Sequence, residues 1–245
     1  MRVFSNCKEA LNEITRDVFS RGMKSYDQTV QSKLVDSKTH SAKELIGYDY
    51  TIAEPKLDEA EQMIIYAAKI FNKPHFKPDY AKDWLEEMLQ GGLNPGKAHM
   101  EHWPEYWKQF SEVPETGKFA YTYSERLQNP LQVMIERLKE SPYRRAAFVP
   151  IWNGCDVDRV GKRRVPCTIG YHFLIRKEGF HDRVHIIYMQ RSCSLAEFFP
   201  FDVYRAVGLL DYVSKRLGIE SGNLIHFISS LHCFYKDLKD VTRVW

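Results

Sequence analysis

No stretch of this sequence stays apolar for the roughly 20 residues that a membrane-spanning helix needs, and no secretory leader opens it. A protein of the cytoplasm, with no membrane as partner, is expected. Cysteine is sparse, with five residues, an odd number, and no C-x-x-C pair. That argues against a disulfide framework and against a zinc site, so no metal is expected, and free thiols suit a reducing compartment. Charge of one sign is also nearly lacking. A formal net charge of +3 is too small to argue for a nucleic-acid polymer as partner, yet it is compatible with a small anionic substrate.

Hydrophobic residues make up 44% of the 245, enough to bury the core of one large domain spanning residues 1–245. Apolar residues recur at helical spacing over 7–20, 58–71, 79–90, 127–139 and 203–213. Strand-like runs cover 44–52, 168–176, 185–189 and a last stretch from 221, where Leu224, Ile225, Phe227 and Ile228 read as buried. Strands alternating with helices predict a layered α/β fold. The polar stretch 23–43 reads as loop, 180–183 as a turn, and the charged run 156–164 as a solvated hairpin tip.

The chain is organised around Gln190 to Asp202. An Arg and a Ser leave a strand, cross a loop, and meet Asp202 where a helix opens. Helix N-termini present free N–H groups, and Arg pairs with phosphate through a planar fork, so this is a candidate anion site with a carboxylate beside it. A surface Arg and an Asp capping the helix are the plainer alternative.

Four segments in order resemble the thymidylate synthase family. Gln190-Arg191-Ser192-Cys193 followed by Pro200-Phe201-Asp202 is similar to its substrate-binding motif, whose last residue is usually Asn. Arg164-Val165-Pro166-Cys167 resembles its nucleophile motif, and Tyr121 to Arg126 its Y-G-x-Q-x-R segment. His232 stands thirty residues after Asp202, the family's interval to its sugar-binding His. The likeness is clear over about 105–235, weaker over 7–55 and poor over 56–104.

The resemblance implies one large mixed β-sheet with helices on one face, the other face joining two subunits sheet to sheet in an isologous homodimer. It implies Cys167 as nucleophile, Tyr121 in the catalytic site, and Gln190, Arg191, Ser192 and His232 on a pyrimidine nucleoside monophosphate. Arg144 and Arg145 would cross to the phosphate held by the other subunit. The family places a proton-handling Glu on the helix that 79–90 forms, and Glu86 and Glu87 are the candidates. Trp107 and Ser194 would stand beside 5,10-methylenetetrahydrofolate, although the aromatics from Trp103 to Phe110 read equally well as a core patch. A further phosphate-binding Arg of the family has no clear counterpart at Asp27-Gln28-Thr29 or Asp36-Ser37-Lys38.

The implied chemistry is thiolate addition to C6, which makes C5 nucleophilic toward a one-carbon unit. A Cys near Arg is suited to it, since a neighbouring cation favours thiolate. Asp202 bears on the base. An Asn amide matches both the N3–H donor and the O4 acceptor of uracil. A carboxylate accepts from the N4 amino group of cytosine and from a protonated N3, but repels O4; as a neutral acid it donates to N3 instead. Family hydroxymethylases of cytosine nucleotides carry Asp here. The leading expectation is therefore a one-carbon transferase giving 5-hydroxymethyl-(d)CMP. A divergent enzyme methylating dUMP and a non-catalytic nucleotide-binding relative are the alternatives. Ser194 replaces a pterin-holding Asp of the family, and Phe234 a sugar-contacting Tyr, leaving His232 as the sugar contact. Relatives usually run on into a closing tail, whereas this sequence ends thirteen residues after His232.

Overall fold

A computed structural model describes residues 2–26, 41–108, 111–112, 116–160 and 164–241. Among the described residues eight strands form one mixed sheet. β1 (Arg2–Phe4) lies parallel to the end of β3 (Ser41–Ile52), and β2 (Met23–Tyr26) antiparallel to its beginning. β8 (Glu220–Phe234) runs antiparallel to β3 and parallel to β6 (His181–Gln190). β5 (Thr168–Glu178) and then β4 (Phe148–Pro150) complete that side, both antiparallel to their neighbours. The short β7 (Cys193–Ser194) pairs with the end of β8.

Alternation decides the two faces. Tyr171, Phe173 and Ile175 of β5 stand opposite Tyr188, Ile186 and Val184 of β6, and all are buried. On that face lie α1 (Cys7–Arg21), α5 (Tyr123–Glu140) and α6 (Phe199–Leu217), with α6 crossing β6 and β8, while α2 (Leu57–Ile70) and α3 (Pro78–Gln90) pack on these helices. On the opposite face Leu174, Ile187, Met189 and Ile225 are partly open and Phe227 is 44% exposed. Short helices α4 (Pro104–Lys108) and α7 (Tyr235–Val241), and a π-helical turn at Ala98–His102, lie among the remaining described elements. No described helix is long and apolar enough to cross a membrane.

The sheet breaks at one level. Pairing between β3 and β8 skips Gly47, whose φ of +66° suits glycine. On β8 the buried positions shift from even numbers through Ile228 to odd numbers from Leu231. On the other side of β8 the chain leaves β6, and the Ser230 N–H donates to the Arg191 carbonyl at 3.1 Å.

Several sequence expectations need correction. The stretch 23–43 is not all loop. Met23–Tyr26 is a strand because β3 extends back to Ser41 and pairs with it. The motifs at 27–29 and 36–38 lie outside the described residues, as does Phe110. Phe227 belongs to a strand but faces away from the helices. His181 to Arg183 are already strand, since the β5–β6 hairpin turns tightly at Gly179. Helix α5 starts before its apolar stripe because Thr122 and Glu125 form a capping box.

The charged run after residue 155 is not a solvated tip over its described part. It forms a 3-10 helix, Gly154–Arg159, around a fully buried Asp156. Arg126 forks onto both carboxylate oxygens at 2.6 and 2.9 Å and also donates to the Ile151 carbonyl at 2.8 Å. Burial pushes the Asp156 carboxyl up, but Arg126 and the Asn153 N–H outweigh it and hold it below its ordinary value.

Removing one partner strands the other charge, so Arg126→Ala should cost about 3–5 kcal/mol in urea unfolding at pH 7. A carboxyl lowered by folding contributes fully above its unfolded value of about 3.9, and that contribution is lost as pH falls through the folded value. Acid unfolding of the wild type should therefore steepen below about pH 4 and be shallower in Asp156→Asn. Equal acid limbs would remove this pair from the account.

Candidate active site

Thr168 opens β5 opposite Gln190, the last residue of β6, so Cys167 and Arg191 emerge side by side. The Arg191 N–H donates to the Cys167 carbonyl at 2.9 Å. Its guanidinium folds back over the preceding turn, with Nε 2.7 Å from the Pro166 carbonyl and Nη2 3.2 Å from that of Val165. Nη2 also lies 3.8 Å from the Cys167 sulfur. Cys167 is open to solvent, yet its sulfur is closely ringed by protein. That surrounding pushes the thiol above its ordinary value; Arg191, Arg164 and Arg205 pull it down, while Asp202 adds to the rise.

Asp202 sits in the first turn of α6 but does not cap it, because the cap position is Phe198. Its buried carboxylate turns inward. Oδ2 accepts from Gln190 Nε2 at 2.8 Å, and Oδ1 pairs with Arg205 one turn later. Burial pushes this carboxyl up and the Arg205 guanidinium opposes the shift. Arg205 itself is 1% exposed, with its guanidinium carbon 3.6 Å from the centroid of the Trp84 ring. An aromatic ring this close is a favourable setting for a buried guanidinium.

The Gln190 side chain continues a buried chain of hydrogen bonds. Its amide nitrogen donates to Asp202, so its oxygen is the acceptor for His226 Nε2 at 2.8 Å. His226 Nδ1 is then the acceptor for the Tyr50 hydroxyl, also at 2.8 Å. Burial pushes His226 down to about 3, which keeps the ring neutral and consistent with that tautomer.

One pocket gathers Cys167, Ser192, Ser194, Asp202, His232 and Trp107. Arg191 and Gln190 reach it through Cys167 and Asp202. Ser194 and His232 are neighbours by the β7–β8 pairing, and the buried Ser194 hydroxyl has no hydrogen-bond partner among the described residues. Tyr121 is buried behind the pocket wall, its ring 5.3 Å from the Arg164 guanidinium.

Other expected residues are elsewhere. Glu86 is exposed. Glu87 is buried but turned away, accepting from the Ala98 N–H and lying 3.6 Å from His99. A side chain at Gly96 would collide with its carboxylate, so Glu87 serves the turn after α3. Trp84, one turn before them, faces the pocket instead. Arg144 and Arg145 are exposed ahead of β4, away from this subunit's pocket. Among the described residues no group of three His, Cys, Asp or Glu is placed to hold a metal.

Sequence reasoning missed Trp84, Arg205 and His226. Arg205 had a signal: a cation inside an apolar helical stripe, three residues after an Asp, must be paired if it is buried. His226 sits at an inward position of β8, where a buried polar residue needs partners.

The thymidylate synthase family model matches residues 60–244. A Methanosarcina mazei protein named "Putative thymidylate synthase" is 33% identical over 59% of this chain and 66% of its own length. The thymidylate synthase of Saccharomyces cerevisiae is 30% identical over 56% of this chain and 45% of its own. The chain thus spans just under two thirds of the first relative and less than half of the second. The crystal structure of thymidylate synthase from T4 phage superposes with a TM-score of 0.69 at 17% identity, covering 97% of this chain and 80% of that one. The fold is therefore that of thymidylate synthase.

The buried His226 gives a stability test. Its folded value of about 3 lies below the ordinary one, so the unfolded chain takes up the proton first. Its contribution is complete above about pH 6.5 and is lost as pH falls, by up to about 1.4 kcal/mol per unit. His226→Gln keeps a donor and an acceptor but cannot titrate. Urea midpoints between pH 7 and 5 should fall more steeply in the wild type, and equal slopes would show that His226 does not titrate on unfolding.

Proposed function

The chain belongs to the thymidylate synthase family, and from that membership we propose that it attaches a one-carbon unit to C5 of a cytosine nucleotide, giving 5-hydroxymethyl-(d)CMP. The observation that carries the proposal is the placing of an open Cys167 thiol between the Arg191 guanidinium and a pocket floor made by Asp202. A nucleophile beside a cation, with a carboxylate deeper in the pocket, suits a pyrimidine monophosphate.

In this reading Arg191 and Ser192 hold the phosphate, joined by Arg144 and Arg145 of a second subunit. His232 binds the sugar. Asp202 accepts from the N4 amino group of the base. Cys167 adds its sulfur to C6, and the C5=C6 electron pair moves into the ring, leaving C5 nucleophilic. After transfer, C5 loses its proton as the carrier's nitrogen departs, leaving an exocyclic methylene; water adds to that carbon, and the sulfur leaves C6 as the C5=C6 bond re-forms. Trp107 and Tyr121 keep the wall behind the thiol closed. The homodimer is supported by the open apolar face around Ile187, Ile225 and Phe227. A reducing cytoplasm suits the five free cysteines.

The residues fit a folate. A cavity of about 580 Å³ walled by Trp103, Tyr106 and Phe198 adjoins the pocket and shares Tyr106, Glu197 and Phe198 with it. The orphaned Ser194 hydroxyl lies in the pocket itself. Aromatic walls with a few polar groups suit a flat heterocycle. When bound, methylenetetrahydrofolate supplies a one-carbon unit at the oxidation level of formaldehyde. The names of the matched relatives favour a second reading, methylation of dUMP.

Incubation of the protein with dCMP, CMP or dUMP and the folate, followed by mass spectrometry, separates these readings by product and base. Cys167→Ser should abolish tritium release from C5-labelled dCMP while nucleotide binding survives, because a hydroxyl stays protonated near neutral pH. Persistent release would move the nucleophile elsewhere. Asp202→Asn should shift the ratio of kcat/KM for dCMP over dUMP toward dUMP by about ten- to a hundredfold. An unchanged ratio would remove Asp202 from base reading.

A further inference from the structure

An ionised Asp202 is a pure acceptor, whereas neutral cytosine presents a donor at N4 beside an acceptor at N3. Alone, Asp202 matches only half of that edge. The missing donor is present in the pocket. Arg205 lines it together with Cys167 and Asp202. A guanidinium has five N–H donors, and those of Arg205 engage the Phe201 carbonyl, the Met88 sulfur and Asp202. That leaves donors without an acceptor among the described residues. The Trp84 ring, 3.6 Å from the guanidinium carbon, holds Arg205, and the Gln190 bond holds the carboxylate.

We infer that Arg205 is a base-reading and rate-determining residue of this site: it donates to N3 of cytosine while its partner Asp202 accepts from N4. The inference rests on the cytosine reading above and deepens it. When sulfur bonds to C6, the C5=C6 pair becomes C4=C5 and the C4=N3 pair comes to rest on N3. Negative charge therefore develops at the atom Arg205 faces, where a fixed cation stabilises it without reorganisation. Uracil is rejected by the same pair, since its N3–H would meet a donor and its O4 a carboxylate. No protonated N3 or protonated Asp202 is needed.

The test measures C5–tritium exchange of dCMP and dUMP by the full chain, with Arg205→Lys and Arg205→Gln, across pH. Arg205→Lys keeps a cation for Asp202 but loses the planar fork. It should melt cooperatively and lose about a hundred- to a thousandfold in kcat for dCMP, with KM changing far less. Asp202 faces Arg205 on its own helix, Gln190 on β6 and the Cys193 thiol on β7, and its charge also reaches the Cys167 thiol and the Tyr123, Tyr171 and Tyr188 hydroxyls. In Arg205→Gln no cation opposes the effect of burial, so the carboxyl protonates more readily and becomes the donor to N3. Relative to the wild type, which loses Cys167 thiolate in the same way, the residual rate should then rise as pH falls, a change that a merely structural Arg205 would not produce. Should Arg205→Gln fail to fold, dCMP labelled with ¹⁵N at N3 and bound to Cys167→Ser decides by NMR: an unprotonated, hydrogen-bonded N3 supports the inference and a protonated N3 overturns it. A wild type that prefers dCMP, with both Arg205 variants keeping its rate and pH profile, overturns the role of Arg205 alone. A wild type that prefers dUMP overturns the cytosine reading along with it.

Discussion

A carboxylate and a guanidinium share the floor of the pocket with almost no water, and much of the neighbouring core exists to make that tolerable. Removing each charge from water costs several kcal/mol, and mutual attraction offsets this only when the remaining polar atoms also find partners. Here they largely do. Gln190 and Cys193 approach one oxygen of Asp202 and Arg205 the other. The Phe201 carbonyl, the Met88 sulfur and the Trp84 face serve Arg205. These contacts come from β6, β7, α3 and α6, so the pair ties the sheet to two of the helices above it.

The second constraint is the break in the sheet. Gly47 and the change of phase on β8 lie level with the exit of the chain from β6. That exit is where Arg191 turns back over the Cys167 turn. β7 resumes the pairing on β8 at the offset that β6 left, Gln190 opposite Ile228 and Ser194 opposite His232. The break therefore shifts the phase of burial without shifting the register, and Ser194 and His232 both line the pocket.

Periodicity made most of the fold legible, because the inward positions of β5, β6 and β8 are apolar and the helical stripes are long. Motif intervals then pointed to Cys167, Arg191, Asp202 and His232, and the structure brings these to one place. What stayed hidden depends on partners distant in sequence. Asp156 reads as a loop charge until Arg126 is found against it. Glu86 and Glu87 are adjacent on one helix, and their numbering cannot say that one faces water and the other a neighbouring turn. β2 is polar and becomes a strand only through pairing with β3. Arg205 looked like an interruption of an apolar run; its meaning lies in Trp84, which belongs to another helix.

The buried chain from Tyr50 through His226 and Gln190 to Asp202 has a further consequence. Each link has a single direction, since the amide of Gln190 can only donate from nitrogen and accept at oxygen. A proton cannot hop along such a line without forcing that amide into an imidic acid. The line is therefore an insulator for protons while remaining rigid for geometry. A strand on the far side of β8 sets the angle of the carboxylate yet exchanges no charge with it, and a proton reaching or leaving Asp202 has no route through that line.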